Sequence, residues 1–445
     1  MTVFDYAARV AELQSQGIHS LLVQFADIHG VAKGKLVPVK ALKDWIEIGA
    51  GFAGPSIAGT GLPRFGERSE YFARVQLDSI RSLPFMPGVA HAVSDGYAGG
   101  QALETCSRHL LKRQLRALHQ QGLTLYVGIE PEYFLLNRDA AGRWVAADGL
   151  DRLAKPSYDL KAIHRHQDYL EDMRATLTAL GFELEQADHE DANCQYEINY
   201  RFDEALAAAD RYMLFKLTAH AVAQRHAMVF SCMAKPFANS PGSGLHFHLS
   251  LRDASGVAVM ADVNGQLGLS AVGHQFAAGL LHHADGLAAL CAPTVNSYKR
   301  LASTASLSGT SWSPVWKSIG YNNRTCLVRV VAGRIEWRLP DPSCNVYAAL
   351  AATLAAGMDG IERNLPAFAA HDEDLYQNKA LGALMPDTLP RDLFDALKAL
   401  TRNDILVDRI GPAFVKQFLQ CKLEEWDAYT GQISDWELER YADLF

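Results

Sequence analysis

Leu125-Tyr126-Val127-Gly128-Ile129-Glu130-Pro131-Glu132-Tyr133-Phe134-Leu135 is an apolar, strand-forming run that carries two acids where a core strand carries none. Residues two apart on a strand share a face, so Glu130 and Glu132 point the same way. Two carboxylates that close repel and raise each other's pKa, a conflict that a shared cation removes. A solvated edge strand is the plainer reading; the apolar flanks and the mid-strand proline count against it.

The same pattern recurs downstream. In Leu245-His246-Phe247-His248-Leu249-Ser250, the residues His246, His248 and Ser250 share one face, and Leu245, Phe247 and Leu249 share the other. Gly242-Ser243-Gly244 stands just before it, a backbone that can approach a ligand closely. In Gly333-Arg334-Ile335-Glu336-Trp337-Arg338-Leu339-Pro340, the polar face is Arg334, Glu336 and Arg338. Taken alone, that strand is equally well explained as a structural ion-pair ladder. Residues 188–198 predict a tight hairpin with acids on both arms, Glu190 and Glu197 among them.

Glu130, Glu132, Glu190, Glu197, His246 and Glu336 together make an oxygen-rich donor set, suited to Mg²⁺ or Mn²⁺ rather than zinc. Two divalent ions would nearly balance the charge of its carboxylates. Arg300, Arg324, Arg329, Arg334 and Arg338 supply planar guanidinium forks that match phosphate and carboxylate oxygens. Carboxylate-held metals facing arginines are the equipment of phosphoryl transfer. No Walker-type loop is present, so a common nucleotide fold is excluded.

Outward from these strands, residues 20–25 and 35–39 predict a hairpin around the turn-forming Asp27-Ile28-His29-Gly30. Residues 49–56 are a small-residue stretch, expected to be a loop able to approach a ligand. Gly96-Tyr97-Ala98-Gly99-Gly100 precedes a helix expected over 104–121, which divides the chain into 1–100 and 101–445. Asn345 is a natural N-cap for an Ala-rich helix. The formal charge of −8 and the absence of a dense basic run argue against nucleic acid. No apolar run of membrane-spanning length occurs, and charges soon after Met1 argue against a signal peptide. The seven cysteines are scattered, which fits reduced thiols in a soluble, cytoplasmic protein.

In these motifs the chain resembles the glutamine synthetases, most closely the branch that forms γ-glutamyl amides such as γ-glutamylmethylamide. The resemblance runs in order through Gly128-Ile129-Glu130-Pro131-Glu132, His189-Glu190, Gln195-Tyr196-Glu197 and Lys235-Pro236. It continues through residues 242–248, Asn296-Ser297-Tyr298-Lys299-Arg300, Asn323-Arg324, residues 334–342 and Ser434-Asp435-Trp436-Glu437. It implies an α+β protein: a small β-grasp N-terminal domain over 1–100, then a catalytic domain over 101–445 with a curved antiparallel sheet and helices. Carried across, Glu132, Glu190 and Glu197 hold one divalent ion, and Glu130, His246 and Glu336 another. Gly242, Arg300 and Arg338 fall at the L-glutamate site, and His248, Ser250, Arg329 and Arg334 at the ATP site. Arg324 falls beside the transferred phosphate, with Arg300 as its catalytic companion. The resemblance also implies a homo-oligomer, a dodecamer of two stacked hexameric rings. Each site there is shared, so that the loop bearing Ala53 and Ser56 serves a neighbouring subunit.

The departures concern the amine. Ammonia-using members carry an acid where this chain has Ala53 and a glutamate in the flap over the site; Ser56 is retained. The flap segment here, 301–323, contains no Asp or Glu. Pro241 replaces a usual asparagine, and Cys194 a common glycine. Lost acids imply an amine other than ammonia, either a neutral aromatic amine or an alkylamine deprotonated by another group. Ala53, Gly54, Ala58 and Gly59 are expected to leave apolar room for it. The rivals are ordinary glutamine synthesis with another proton acceptor, where a distant acid such as Asp191 would move in and restore ammonia use, a phosphagen-type kinase on a shared catalytic fold, and a non-catalytic relative. The last predicts lost metal ligands, and none is lost.

Overall fold

The computed structural model describes residues 4–302, 312–377 and 385–445. The centre of the acid-free flap segment, 303–311, lies outside them.

The chain first builds a mixed sheet from β1 (Ser20–Ala26), β2 (Ala32–Pro38), β3 (Ala50–Ala53), β4 (Glu70–Val75) and β5 (Val89–Ala98), in the order β2-β1-β5-β4-β3. The β1–β5 pair is parallel, and the hairpin β1–β2 is antiparallel. Alternation on β1 puts Leu21, Val23 and Phe25 in the core of this layer. The hairpin was expected, but β2 begins earlier than the sequence suggests. Asp27 Oδ1 accepts from the amides of His29 and Val31, closing the turn on its own side chain. At Gly30, whose φ is +80°, an added Cβ would lie 2.6 Å from Asn345 Cα, so both conformation and packing require glycine. The stretch 49–56 is not wholly loop: Ala50–Ala53 pairs with β4, and a helical turn follows.

The second layer is a larger sheet, ordered β7-β8-β6-β9-β12-β11-β10. Its strands are β6 (Leu123–Arg138), β7 (Leu184–His189), β8 (Gln195–Tyr200), β9 (Leu245–Asp253), β10 (Ile319–Tyr321), β11 (Val328–Val331) and β12 (Arg334–Trp337). All these pairings are antiparallel except β10–β11. β7 and β8 form the expected hairpin. Helices α1 (Ser107–Gln120), α2 (Ala205–Arg225) and α3 (Val346–Glu362) cover the apolar side. Asn345 caps α3 by accepting from the Ala348 amide at 3.3 Å, and its Nδ2 donates to Asp27 O at 2.9 Å. That one side chain starts a helix and fastens the β1–β2 turn to it.

A buried charge cluster joins the layers. Arg108 on α1 reaches Asp95 on β5 at 2.5 Å and Asp210 on α2 at 2.8 Å, and Tyr347 Oη donates to Asp210 at 2.7 Å. Among the described residues, no helix is long and apolar enough to cross a membrane.

Candidate active site

Strand register collects the polar residues into one row. Glu197 lies opposite Glu132, Glu130 opposite His246, His248 opposite Glu336, and Glu336 opposite Arg329. The row therefore crosses β8, β6, β9, β12 and β11, while Leu245, Phe247, Leu249, Ile335 and Trp337 are buried behind it.

Glu130, His246 and Glu336 each offer a ligand atom, and these atoms lie within 4.8 Å of one another. His246 Nδ1 is 3.6 Å from both Glu130 Oε2 and Glu336 Oε1. Burial, with the nearby Arg338 charge, pushes the His246 imidazole down to about 4, leaving it a neutral ligand at ordinary pH. Glu336 is 1% exposed, and burial opposes its charge. Arg338, His246, His248 and Arg329 together outweigh that and hold it at about 2. Its oxygens accept from Arg329 Nη1 at 2.6 Å and Arg338 Nη1 at 2.7 Å. Burial likewise opposes Glu130, but the imidazoles of His246 and His248 beside it keep it below the carboxylate range.

Glu132, Glu190 and Glu197 behave in the opposite way. Burial, then Glu190, lifts Glu132 to about 8. Burial, then Asp191, lifts Glu190 to about 7. Glu197 is raised well above its ordinary value by burial and by Glu130, Glu190 and Glu132. Three crowded acids, one buried and two half-buried, that resist ionisation together are a hard-oxygen donor set that a divalent cation would relieve. Gln195 organises them: Nε2 donates to Glu132 Oε2 at 3.3 Å, to Gly242 O and to Ser243 Oγ, the last two at 3.1 Å. The Gly244 amide donates to Glu132 Oε2 at 2.8 Å, so the glycine loop holds this carboxylate in place.

A cavity of about 410 Å³ opens on one side of the row, walled by His248, Ser250, Arg334, Glu130, Tyr126 and Phe202. Arg334 Nε donates to His248 Nδ1 at 3.0 Å, which fixes that nitrogen as an acceptor. Arg329 is clamped between Glu336 and Asn322, whose Oδ1 accepts from its Nη2 at 2.6 Å. On the other side, Gly242, Arg300, Arg338, Glu132 and Glu190 border a cavity of about 50 Å³. Arg300 is 3% exposed and is anchored by donating to the carbonyls of Leu339 and Arg338, each at 2.9 Å. A larger cavity of about 1220 Å³ lies elsewhere, between the β1–β2 turn and α2, and none of the candidate ligands lines it.

Three expected residues stand apart. Arg324 is exposed on a turn whose Asn323 is pinned by donating to His371 O and Glu373 O at 2.9 Å. Ala53 and Ser56 are exposed and line neither cavity of their own chain. At two of the four positions expected to leave apolar room, Gly54 and Gly59, the space is already filled. An added Cβ would lie 2.5 Å from Leu62 Cδ1 at Gly54 and 2.3 Å from Ile28 Cβ at Gly59, so these glycines serve tight packing.

The sequence reading gave no site role to Gln195, Trp312 and the aromatic walls Tyr126 and Phe202, and weighed Asp191 only as a distant acid able to restore ammonia use. Gln195 was within reach, because it sits two residues before Glu197 on one face of β8. Asp191 adjoins a candidate ligand. Trp312 carries no local signal, since only the fold brings it to the cavity.

A family model for the glutamine synthetase catalytic domain matches residues 104–441. A glutamate–methylamine ligase of Methyloversatilis universalis is 41% identical, over 97% of this chain and 98% of its own. A glutamine synthetase of Rhizobium leguminosarum bv. phaseoli is 36% identical, over 97% and 98%. A solved GmaS/ADP complex matches with a TM-score of 0.92 at 37% identity, covering 98% of this chain and 99% of that one. The row of ligands and arginines thus lies inside a match that spans most of the sequence, and the chain belongs to the glutamine synthetase family.

Proposed function

We propose that this protein is an ATP-dependent ligase that joins L-glutamate to an amine other than ammonia through γ-glutamyl phosphate. The observation that carries this is the single row in which Glu130, His246 and Glu336 converge beside Arg329 and Arg338. The higher identity to a methylamine ligase than to a glutamine synthetase supports the choice of amine. Gly242, Arg300 and Arg338 would hold glutamate; His248, Ser250, Arg329 and Arg334 would hold the nucleotide. Arg324 would meet the transferred phosphoryl group. Glutamate's γ-carboxylate attacks the γ-phosphorus and releases ADP; the amine, once its nitrogen has given up a proton to a nearby carboxylate or solvent, attacks the acyl carbon through its lone pair, loses a second proton to solvent, and phosphate leaves. Activation is needed because a carboxylate is a poor acyl donor, whereas an acyl phosphate carries a good leaving group. Two Mg²⁺ or Mn²⁺ ions, held by the two acid sets, would screen the phosphates. The experiment is to measure glutamate-dependent phosphate release across a panel of amines and identify the product by mass. Phosphate release with no γ-glutamyl amide formed would reject the reading.

Metal occupancy has a pH signature. From about 4.5, the ordinary glutamate value, up to about 8, the folded metal-free chain keeps protons on Glu132 and Glu190 that the unfolded chain has released. These acids therefore contribute stability that is lost as pH rises through that window. Binding of a divalent ion removes the loss. The rise in Tm on adding Mg²⁺ or Mn²⁺ is expected to grow from about pH 5 to about pH 8, and Glu132→Gln to flatten it. A rise that shrinks across the window would contradict the assignment.

We also propose that residues 1–100 and 101–445 act as separate domains of a cytoplasmic homo-oligomer, a dodecamer of two hexameric rings. The loop bearing Ala53 and Ser56 then completes a neighbour's site, in keeping with its exposure and its distance from its own cavities. Light scattering is expected to find the activity only in a large assembly; a fully active monomer would defeat shared sites.

A further inference from the structure

Asp191 and Trp312 border the small cavity together with Glu190, Gly242, Arg300 and Arg338, and no role above uses them. Trp312 Nε1 donates to Asp191 Oδ2, and Ser157 Oγ donates to Asp191 Oδ1. Both donors are neutral, so the carboxylate brings its full negative charge to this end of the cavity. The backbone at Trp312 is fixed independently of its ring. Its carbonyl accepts from Arg338 Nη2 at 2.8 Å, Ser313 Oγ donates to Arg300 O at 2.5 Å, and Tyr376 Oη donates to Ser313 O at 2.6 Å. Two arginines bordering the cavity thus hold the strap, while Asp191 aims the indole. Trp312 remains 41% exposed.

We infer that Asp191 and Trp312 are the amine-recognition pair, and that the amine is a small primary alkylamine entering as its ammonium ion. This rests on the ligase reading above. A primary alkylamine with a pKa of about 10.4, like a lysine side chain, arrives protonated at neutral pH. Moving that cation out of water requires a counter-charge, which Asp191 supplies. The indole face attracts the cation and covers its carbon, and ammonium has no carbon to cover. The sequence argument that the pocket is poorly made for a cation is therefore reversed: the acid comes from the β7–β8 turn instead of the flap.

A purely structural strap is the competing account, and substrate ratios separate the two. Trp312→Ala is expected to lower the methylamine-to-ammonia ratio of kcat/KM about fourfold, and Trp312→Phe, which keeps a ring, by less than about twofold. Asp191→Asn is expected to raise KM for methylamine about tenfold. KM for glutamate should stay at its wild-type value in all three. A constant amine ratio, or a glutamate KM that moves with the amine KM, would overturn the inference and leave the ligase reading standing. A wild-type protein that makes no γ-glutamyl amide from any amine would instead remove the ligase reading itself.

Discussion

Glu336→Ala is expected to lower glutamate- and amine-dependent phosphate release by about a thousandfold. Three things meet on this carboxylate. It is one of the three groups whose ligand atoms cluster within 4.8 Å, and it accepts from both Arg329 and Arg338. Removing it would take away a metal ligand and leave two guanidinium groups without their common acceptor. Phosphoryl transfer depends on positioned charge more than on covalent chemistry, so losing the metal-held clamp removes most of the transition-state stabilisation. Breaking a buried ion pair from one side also costs about 3–5 kcal/mol of stability, so assembly has to be checked beside activity. Glu336→Gln keeps the shape and loses only the charge, and it should be nearly as inactive while remaining assembled. Near-normal turnover in an assembled Glu336→Ala protein would sink the metal role of this strand.

Much of this site was legible because it is written at period two. Glu130 with Glu132, His246 with His248, and Arg334 with Glu336 and Arg338 each declared a shared face, with apolar residues between them. Folding then had only to place the strands in register, and the hairpin of residues 188–198 brought Glu197 opposite Glu132. Asn345 was legible as a cap, since a side-chain oxygen before an Ala-rich run has few other uses. Its second bond, to Asp27 O, was not legible, because the partner lies more than 300 residues earlier. Gly54 and Gly59 misled for a related reason. A glycine reads as space, but whether Leu62 or Ile28 fills that space is a tertiary fact. The acid-free segment 301–323 misled differently. Counting acids along one segment left Asp191 as a distant alternative, and its contact with Trp312, made by the fold from another strand turn, was not legible.

The amine decides the account. Ammonium would meet Asp191 and the indole face but has no carbon for the ring to cover, and the acids expected at position 53 and in the flap are missing. Each methyl or methylene covered in such a pocket contributes about 0.8 kcal/mol, and the cation–ring attraction adds to it. The exposed Ala53 offers a second handle: if its loop reaches a neighbour's site, Ala53→Asp should move preference toward ammonia. The direct measurement is kcat/KM for ammonia, methylamine, isopropylamine and aniline on the wild-type assembly at one pH with saturating ATP and glutamate. Methylamine or isopropylamine is predicted to exceed ammonia by about tenfold or more, with aniline poorest. Ammonia equal to or better than every other amine would contradict the central claim and make this an ordinary glutamine-forming enzyme.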